Sequence, residues 1–295
     1  MLRFRRILCP VDFFPASLKA VDYALKLASH YKAHVYLVHV VAPVITAAYE
    51  GPVVVEGLME SLQKDSDRQL QKLKAKAAKA KIPVGTEVRS GIIDEEILRS
   101  VEEKKADLIV MGTHGRRRFQ RWLLGSVMER MMRHSPVPLL TTGSTTKALS
   151  APPKIRRILV TTDFSAGTPD ALAHAFSIAR ECGAKVTLLH VLPDLGYELG
   201  SEVTGGPIVA KRQENLDKLV PADLKANVRA RIEVGVPYRI IHEVIEAEKP
   251  GLVVMNIHGK AMLDRALFGS TAERVLRSAS DKCPFLLIPP AKKRK

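Results

Sequence analysis

The chain repeats itself over most of its length. Residues 157–163 (Arg-Ile-Leu-Val-Thr-Thr-Asp) repeat the pattern of residues 6–12 (Arg-Ile-Leu-Cys-Pro-Val-Asp), 151 positions later. Further along, the offset becomes 144, and Gly269 matches Gly125. Each copy is long enough to bury a core of its own, so the repeat predicts two copies of one fold in tandem. The two predicted domains are residues 1–143 and 154–291, joined by a linker rich in Ser, Thr, Ala and Pro.

Within each copy, strand patterns alternate with helix patterns. Short β-branched runs such as residues 34–41 indicate parallel strands buried on both faces, and apolar residues three and four positions apart indicate helices. This alternation predicts an α/β fold with a doubly wound, five-stranded parallel sheet flanked by helices. Residues 42–57 contain prolines and glycines and are predicted to be irregular. In the first copy, we predict strands at 6–11, 34–41, 84–89, 107–111 and 137–142, and helices at 18–31, 58–81, 95–105 and 127–134.

A glycine-rich segment follows the fourth predicted strand of the first copy. Gly112 and Gly115 precede Gly125-Ser126, which opens a helix. Glycine lets the backbone approach a bulky anion, and the unpaired N–H groups at a helix start favour phosphate oxygens. The spacing is neither that of a P-loop nor that of a dinucleotide fingerprint. The segment predicts a phosphate-binding crevice at the carboxyl ends of the strands, although turn glycines also occur without a ligand.

With residues 6–12 before it and residues 136–140 after it, the pattern Gly-x2-Gly-x9-Gly-Ser resembles the universal stress protein family. The resemblance covers nearly the whole chain and implies a flavodoxin-like, HUP-type sheet of order 3-2-1-4-5. In nucleotide-binding members, the glycines hold the ribose and phosphates of ATP, and the first-strand Asp meets the adenine; any Mg²⁺ would arrive with the phosphates. The implied nucleotide-binding residues are Pro10, Asp12, Val40, Met111, Gly112, His114, Gly115, Arg116, Gly125, Ser126 and Val127.

Several of these residues also have an ordinary structural interpretation. Asp12 would equally form an Asx cap for the next helix, and Val40 would equally be a core strand residue. Arg116 belongs to an arginine run that either neutralises phosphate or lies on a solvated face. Ser126 is expected as an N-cap. Because no Ser-His-Asp set or carboxylate pair converges with His114, we assign no catalytic residue.

The second copy contains a second candidate site with altered residues. Asn256 stands where the first copy has its first glycine, and Gly251 stands where the first copy has Asp107. A side chain at the glycine position adds bulk where a ligand comes closest, so we expect this site to be degenerate and the chain to bind about one ATP. The second-copy candidates are Asp163, Val191, Asn256, Gly259, Gly269 and Ser270. His39 and His190, which lie in strands, are expected to be core histidines.

Composition narrows the class of protein. The chain is 46% hydrophobic and 26% charged, as in soluble globular proteins, and it has no secretory signal pattern or membrane-length apolar run. We therefore expect a cytoplasmic protein without membrane insertion. The three cysteines are far apart and no metal-ligand spacing occurs, which predicts reduced buried thiols and no metal site. The net charge of +15 is spread over both halves and aromatic residues make up 5%, so no specific nucleic-acid partner is expected.

The family resemblance, taken with these observations, implies an ATP-binding stress-response regulator or adaptor rather than a turnover enzyme. Two alternatives remain: a slow ATPase or self-phosphorylating enzyme, with Ser126 or a nearby Thr as acceptor, and a scaffold that holds another anion, a lipid or nothing. The fifth strand of each copy is apolar and lacks the charges that usually protect a sheet edge. We therefore expect the two domains to form an internal pseudo-dimer, with a homodimer of the whole chain as the alternative. The sequence identifies no protein partner.

Overall fold

The structure is a computed structural model that describes residues 3–43, 45–48, 51–54, 56–113, 124–147, 149–150, 153–193, 206–257 and 270–290. The chain divides into two compact units, one from Arg3 to Pro153 and one that begins at Lys154. No helix in the described ranges is long and apolar enough to cross a membrane.

The first unit contains a five-stranded parallel sheet of order β7-β6-β1-β2-β5. If these five strands are numbered by their position along the chain, without the separate hairpin, their order across the sheet is 5-4-1-2-3. The predicted doubly wound topology is confirmed. The elements are β1 (Arg6–Pro10), α1 (Pro15–Tyr31), β2 (His34–Val41), β3 (Ile45–Ala48), β4 (Gly51–Val54), α2 (Glu56–Ala78), β5 (Val84–Ser90), α3 (Ile93–Lys104), β6 (Leu108–Gly112), α4 (Ser126–His134) and β7 (Leu139–Thr142).

The second unit repeats this sheet in the order β12-β11-β8-β9-β10, again with parallel pairs throughout. Gly91 and Gly235, which occupy matching positions, share a φ of +147°, so the repeat extends to backbone geometry that glycine adopts most readily. The elements are β8 (Arg157–Thr161), α5 (Thr168–Cys182), β9 (Lys185–Leu192), α6 (Pro207–Asp217), a short 3₁₀ helix (Ala222–Leu224), β10 (Val228–Val234), α7 (Pro237–Glu248), β11 (Leu252–Asn256), α8 (Ser270–Ala279) and β12 (Phe285–Ile288).

The central strands of each sheet form the core. Leu8 of β1 and Ile109 of β6 are neighbours in register and are both fully buried. Leu159 of β8 and Val253 of β11 repeat this arrangement in the second unit. Helices cover both faces of such a sheet, so central strands are apolar at every position rather than at alternate ones.

The prediction for one segment is wrong. Residues 42–57 were expected to be irregular, but β3 and β4 pair there as an antiparallel hairpin, with Ile45 opposite Val54 and Thr46 opposite Val53. The β-branched residues in these pairs favour an extended backbone. Pro52 is compatible with the ladder because each strand of a two-stranded ribbon has a free edge, where a missing N–H is tolerated.

The remaining differences from the sequence prediction are shifts at the ends of elements. Helix α2 runs from Glu56 to Ala78 rather than over 58–81, and Lys81 has a left-handed φ of 55° after its end. Strand β6 begins at Leu108 because Asp107 precedes the ladder and binds the backbone of the neighbouring segment.

Candidate functional site

The carboxyl ends of three adjacent strands form the candidate site of the first unit. The N–H of Val11, just after β1, donates to the carbonyl of Val38 in β2 at 2.8 Å, and β6 is paired on the other side of β1. Most interior residues of β1 and β6 are buried, whereas several residues at this edge are only partly covered. The half-buried residues that the topology brings to this edge are Pro10, Asp12, Val40 and Gly112.

Asp12 forms the turn that its sequence position suggested. Its Oδ1 accepts the N–H of Phe14 at 3.0 Å, and its own N–H donates to Ser17 Oγ at 3.2 Å. Ser17 Oγ in turn donates to the carbonyl of Phe14 at 3.1 Å, which fixes the connection into α1. These contacts use one oxygen of the carboxylate. Among the described residues, the other oxygen has no hydrogen-bond partner.

The start of α4 lies directly beside the end of β6. The N–H of Gly125 donates to the carbonyl of Thr113 at 3.2 Å, although the intervening segment is long. Gly125 is the N-cap, with φ −63° and ψ 139°, and Ser126 is the first helical residue. The prediction of Ser126 as the N-cap is therefore wrong by one position. The backbone carbonyl of Gly125 accepts the first intrahelical bond, and no side chain caps this end.

Of the other predicted residues, some lie in described elements and others fall outside the described part of the chain. Met111 is 5% exposed, so its side chain belongs to the core of β6. Val127 is half-buried in the first turn of α4. The predicted residues outside the described ranges are His114, Gly115, Arg116, Gly259 and Gly269.

The requirement for glycine at position 112 comes from helix packing. A Cβ at Gly112 would lie 2.7 Å from the carbonyl carbon of Ala16 and 2.9 Å from the amide nitrogen of Ser17. Both atoms are backbone atoms near the start of α1 and cannot move aside easily. The sequence interpretation, which assigned this glycine to ligand approach, did not include this role: Gly112 allows α1 to pack closely against the end of β6.

In the second unit, the corresponding contact between strand end and helix start is made by different residues. The side chain of Asn256, at the end of β11, lies against Gly167, which precedes α5. In the orientation that satisfies both amide atoms, Asn256 donates to the carbonyl of Gly167 at 3.0 Å and accepts the N–H of Thr168 at 3.2 Å. Its amide thus caps the start of α5, a role that the sequence prediction of added bulk did not include. Asp163 keeps the Asx turn, with Oδ1 accepting the N–H of Ser165 at 2.9 Å.

Asp107 does not belong to the crevice. Its carboxylate accepts the N–H groups of Arg5 at 2.8 Å and Arg6 at 3.0 Å, at the amino end of β6. The crevice lies at the opposite, carboxyl end of that strand. The replacement of Asp107 by Gly251 is therefore no sign of a degenerate site, and only Asn256 remains as the relevant difference.

Sequence reasoning missed one aromatic residue in each unit, which follows the first strand. Phe13 and Phe164 have left-handed backbones, with φ of 64° and 58°, which is uncommon for residues other than glycine. Their rings pack on His39 and His190, with centroids 4.8 Å and 4.7 Å apart. The signal was present in the sequence, because both copies have Phe directly after the first-strand Asp and a matching His in the second strand.

The two strand histidines are held by backbone carbonyls. His39 Nδ1 lies 2.6 Å from the carbonyl oxygen of Val11, and His190 Nδ1 lies 2.7 Å from that of Thr162. Both contacts join the second strand of a unit to the end of its first strand. Arg212 of α6 lies over the Phe164 ring, with Cζ 5.6 Å from the centroid, and adds a positive charge in the second unit.

The two buried thiols, Cys9 and Cys283, are unreactive in this environment. Burial raises the pKa of Cys9, in β1, far above its ordinary range, and raises that of Cys283 to about 12. Both thiols therefore stay protonated near neutral pH and are poor nucleophiles. The described residues contain no group of three His, Cys, Asp or Glu side chains arranged to hold a metal ion.

Known proteins share this architecture. The sequence profile of the Universal stress protein family matches residues 3–142 and 154–289. A universal stress protein of Mycolicibacterium smegmatis is 29% identical over 296 residues, which cover 96% of this chain and 97% of that protein. One from Methanocaldococcus jannaschii is 36% identical over 139 residues, which cover 46% of this chain and 81% of that protein.

A solved structure agrees at the level of the fold. The crystal structure of a universal stress protein from Archaeoglobus fulgidus superposes with a TM-score of 0.74 at 20% identity, covering 98% of this chain and 97% of that chain. The two profile matches fall on the two compact units. The resemblance seen in the sequence is thereby confirmed, and the chain belongs to the universal stress protein family, with two tandem copies of its domain.

Proposed function

We propose that this protein is an ATP-binding stress-response regulator or adaptor that holds ATP in its first unit. The proposal rests mainly on the start of α4, which the hydrogen bond between Gly125 and Thr113 holds beside the end of β6. A helix start presents free N–H groups and the positive end of the helix dipole, which favour phosphate oxygens. Asp12, after the adjacent strand β1, has a carboxylate oxygen available to accept a hydrogen bond from the amino group of adenine.

Asymmetry between the units supports one site rather than two. In the first unit, Gly112 leaves no side chain at the end of β6. In the second unit, the Asn256 side chain occupies the corresponding place and already satisfies backbone groups of Gly167 and Thr168. A ligand there would have to displace these contacts, so ATP is expected to prefer the first unit.

The described residues favour a binding role over turnover. Ser126, the proposed acceptor in a self-phosphorylating enzyme, is exposed at the start of α4, and its hydroxyl has no hydrogen bond to a described imidazole or carboxylate. Without a base, a serine hydroxyl is a weak nucleophile. Release of ADP at more than the spontaneous rate during incubation with Mg-ATP would instead support the enzyme.

The experiment compares two glycine variants of the full chain. A Cβ at Gly125 would make only an ordinary 3.5 Å contact with the carbonyl oxygen of Thr113, so Gly125→Val is compatible with the fold while obstructing phosphate approach. Gly57, which has open space around it, supplies the control Gly57→Val. We expect mass spectrometry to find ATP released from fresh wild-type protein and from Gly57→Val, and none from Gly125→Val. Equal ATP content in both variants would contradict the proposal.

A further inference from the structure

In the second unit, Tyr238 lies between two arginines at the start of α7. The Cζ atom of Arg274, on α8, is 5.0 Å from the centroid of the Tyr238 ring, and that of Arg239 is 5.9 Å from it. Arg239 Nε donates to the Tyr238 hydroxyl at 3.1 Å. Both arginines are exposed and the tyrosine is half-buried. We call these three residues the arginine–tyrosine cluster.

The matching corner of the first unit has the opposite charge. At the offset of 144, Asp94, Glu95 and Arg130 stand in place of Tyr238, Arg239 and Arg274. Arg130 Nη1 forms a 2.7 Å ion pair with Asp94, whose side chain is 13% exposed. Acidic residues fill the first turn of α3, where the helix dipole favours them. The first turn of α7 has no acidic residue and contains Arg239 instead.

Among the described residues, nearby carboxylates balance the positive charge of the cluster only in part. In the described part of the chain, neither Arg239 nor Arg274 forms an ion pair. Glu243 attracts Arg239 from one turn further along α7, and Glu273, next to Arg274, is paired with Arg277. The hydrogen bond from Arg239 and the nearby guanidinium charges lower the pKa of Tyr238.

Two guanidinium groups beside one ring, at the positive end of a helix, repel each other and the dipole. The first unit shows that the same fold accommodates an ion pair at this position, so the fold does not require the repulsion. Residues that break a local rule, with no compensating ion pair among the described residues, are expected where a ligand supplies the compensation. An anion between the guanidiniums would do so.

We propose that the arginine–tyrosine cluster binds a dianionic phosphate group, as inorganic phosphate or as a phosphate monoester, at a site separate from the nucleotide crevice of the first unit. Guanidinium groups present paired N–H donors that match phosphate oxygens. The two positive charges match the dianion, and the Tyr238 hydroxyl supplies a further donor.

The test follows the Nε–Hε NMR signals of the arginines in the full chain during titration with sodium phosphate or phenyl phosphate. Sodium chloride at equal ionic strength is the control for screening. We expect saturable shifts of the Arg239 and Arg274 signals with phosphate and no saturation with chloride. Saturation with both probes supports a site for monoesters, and saturation with inorganic phosphate alone supports a site for the free ion. Equal responses to phosphate and chloride would overturn the proposal.

Variants connect the shifts to the cluster. Arg274→Gln removes one charged donor and should weaken phosphate binding roughly tenfold. Tyr238→Asp rebuilds the ion pair of the first unit and should abolish binding, whereas Arg229→Gln, an exposed arginine on β10, should change nothing. The double variant Asp94→Tyr with Glu95→Arg should create a second phosphate site in the first unit, which tests the idea even if Tyr238→Asp fails to fold. Unchanged phosphate affinity in Arg274→Gln would contradict the proposal.

Nucleotide binding separates this proposal from the previous one. Gly125→Val is expected to leave phosphate binding at the cluster intact, because the two sites lie in different units. Arg274→Gln is expected to leave ATP binding in the first unit intact. Absence of ATP binding and absence of phosphate binding can therefore be distinguished from each other.

Discussion

Asn256 and Gly167 are a complementary pair, because the absence of a side chain at Gly167 makes room for the amide of Asn256. A Cβ added at Gly167 would lie 3.1 Å from Cγ of Asn256. The first unit has the small residue on the other partner, with Gly112 on the strand and Ala16 in the first turn of α1. The two units thus preserve one helix-to-strand contact with opposite distributions of bulk.

This reciprocity predicts a rescue experiment. Gly112→Asn should destabilise the first unit by about 1–3 kcal/mol, because its Cβ would overlap backbone atoms of Ala16 and Ser17. Adding Ala16→Gly should recover part of that loss, because a glycine there makes room for the asparagine side chain as Gly167 does for Asn256. Hydrogen-exchange mass spectrometry reports the opening free energy of each unit separately. If Ala16→Gly brought no recovery, the two contacts would not be equivalent.

A substitution at Asp12 should change the preferred base. Asp12→Asn keeps the oxygen that accepts the N–H of Phe14 but places an NH₂ donor at the second position. ATP, with its 6-amino donor, should bind roughly tenfold more weakly, and inosine triphosphate, with a 6-oxo acceptor, should bind relatively better. Calorimetry with both nucleotides measures this change.

The second unit supplies the matched control. Asp163 forms the same Asx turn with Ser165, so Asp163→Asn makes the same chemical change outside the proposed site. It should leave ATP affinity unaltered. Equal losses of ATP affinity in the two variants would show that Asp12 does not select the base by hydrogen bonding.

Arg89 links β5 to α3 and should contribute strongly to the stability of the first unit. Its Nε donates to Glu96 at 2.7 Å and its Nη1 to Glu103 at 2.8 Å, while the side chains of Arg89 and Glu96 are only 12% and 10% exposed. Arg89→Met leaves Glu96 poorly paired and should cost about 3 kcal/mol. Arg99, which is 59% exposed and also pairs with Glu96, gives the control Arg99→Met, with an expected loss under about 1 kcal/mol. Similar losses in hydrogen-exchange stability would contradict this account.

The contribution of Arg89 should also depend on pH. The hydrogen bond from Arg89 lowers the pKa of Glu103 below its ordinary value of 4.5, so the folded state favours the ionised carboxylate. Stability from this pair is complete above the unfolded pKa and is lost as the pH falls through the folded one. The difference in the free energy of unfolding between wild type and Arg89→Met should therefore shrink as the pH falls below the ordinary value of 4.5. A difference that stays constant from pH 7 to pH 3 would exclude this linkage.

The repeat and the apolar strands were readable from the sequence because they are periodic. Buried parallel strands such as β2 are apolar at successive positions, and their alternation with amphipathic helices left few topologies open. The same reasoning placed Asp12 at a strand end, since residues that follow parallel strands meet at one edge, whereas Val40 was chosen from the family resemblance.

The contacts that adjust the site were not readable. Gly112 meets Ala16, and Asn256 meets Gly167, across long stretches of sequence. No periodic pattern encodes such a contact, because it depends on how closely a helix approaches a strand end. Sequence reasoning therefore missed the packing role of Gly112, and it took Asn256 only as an obstruction when its amide also caps α5.

We propose that ATP binds to the first unit alone. Calorimetric titration of the full chain with ATP measures the number of sites directly, after bound nucleotide has been removed. We expect a stoichiometry of about one in the wild type and no measurable binding in Gly125→Val, because a side chain there obstructs phosphate approach to α4. Two equal sites in the wild type, or unchanged binding in Gly125→Val, would contradict the account.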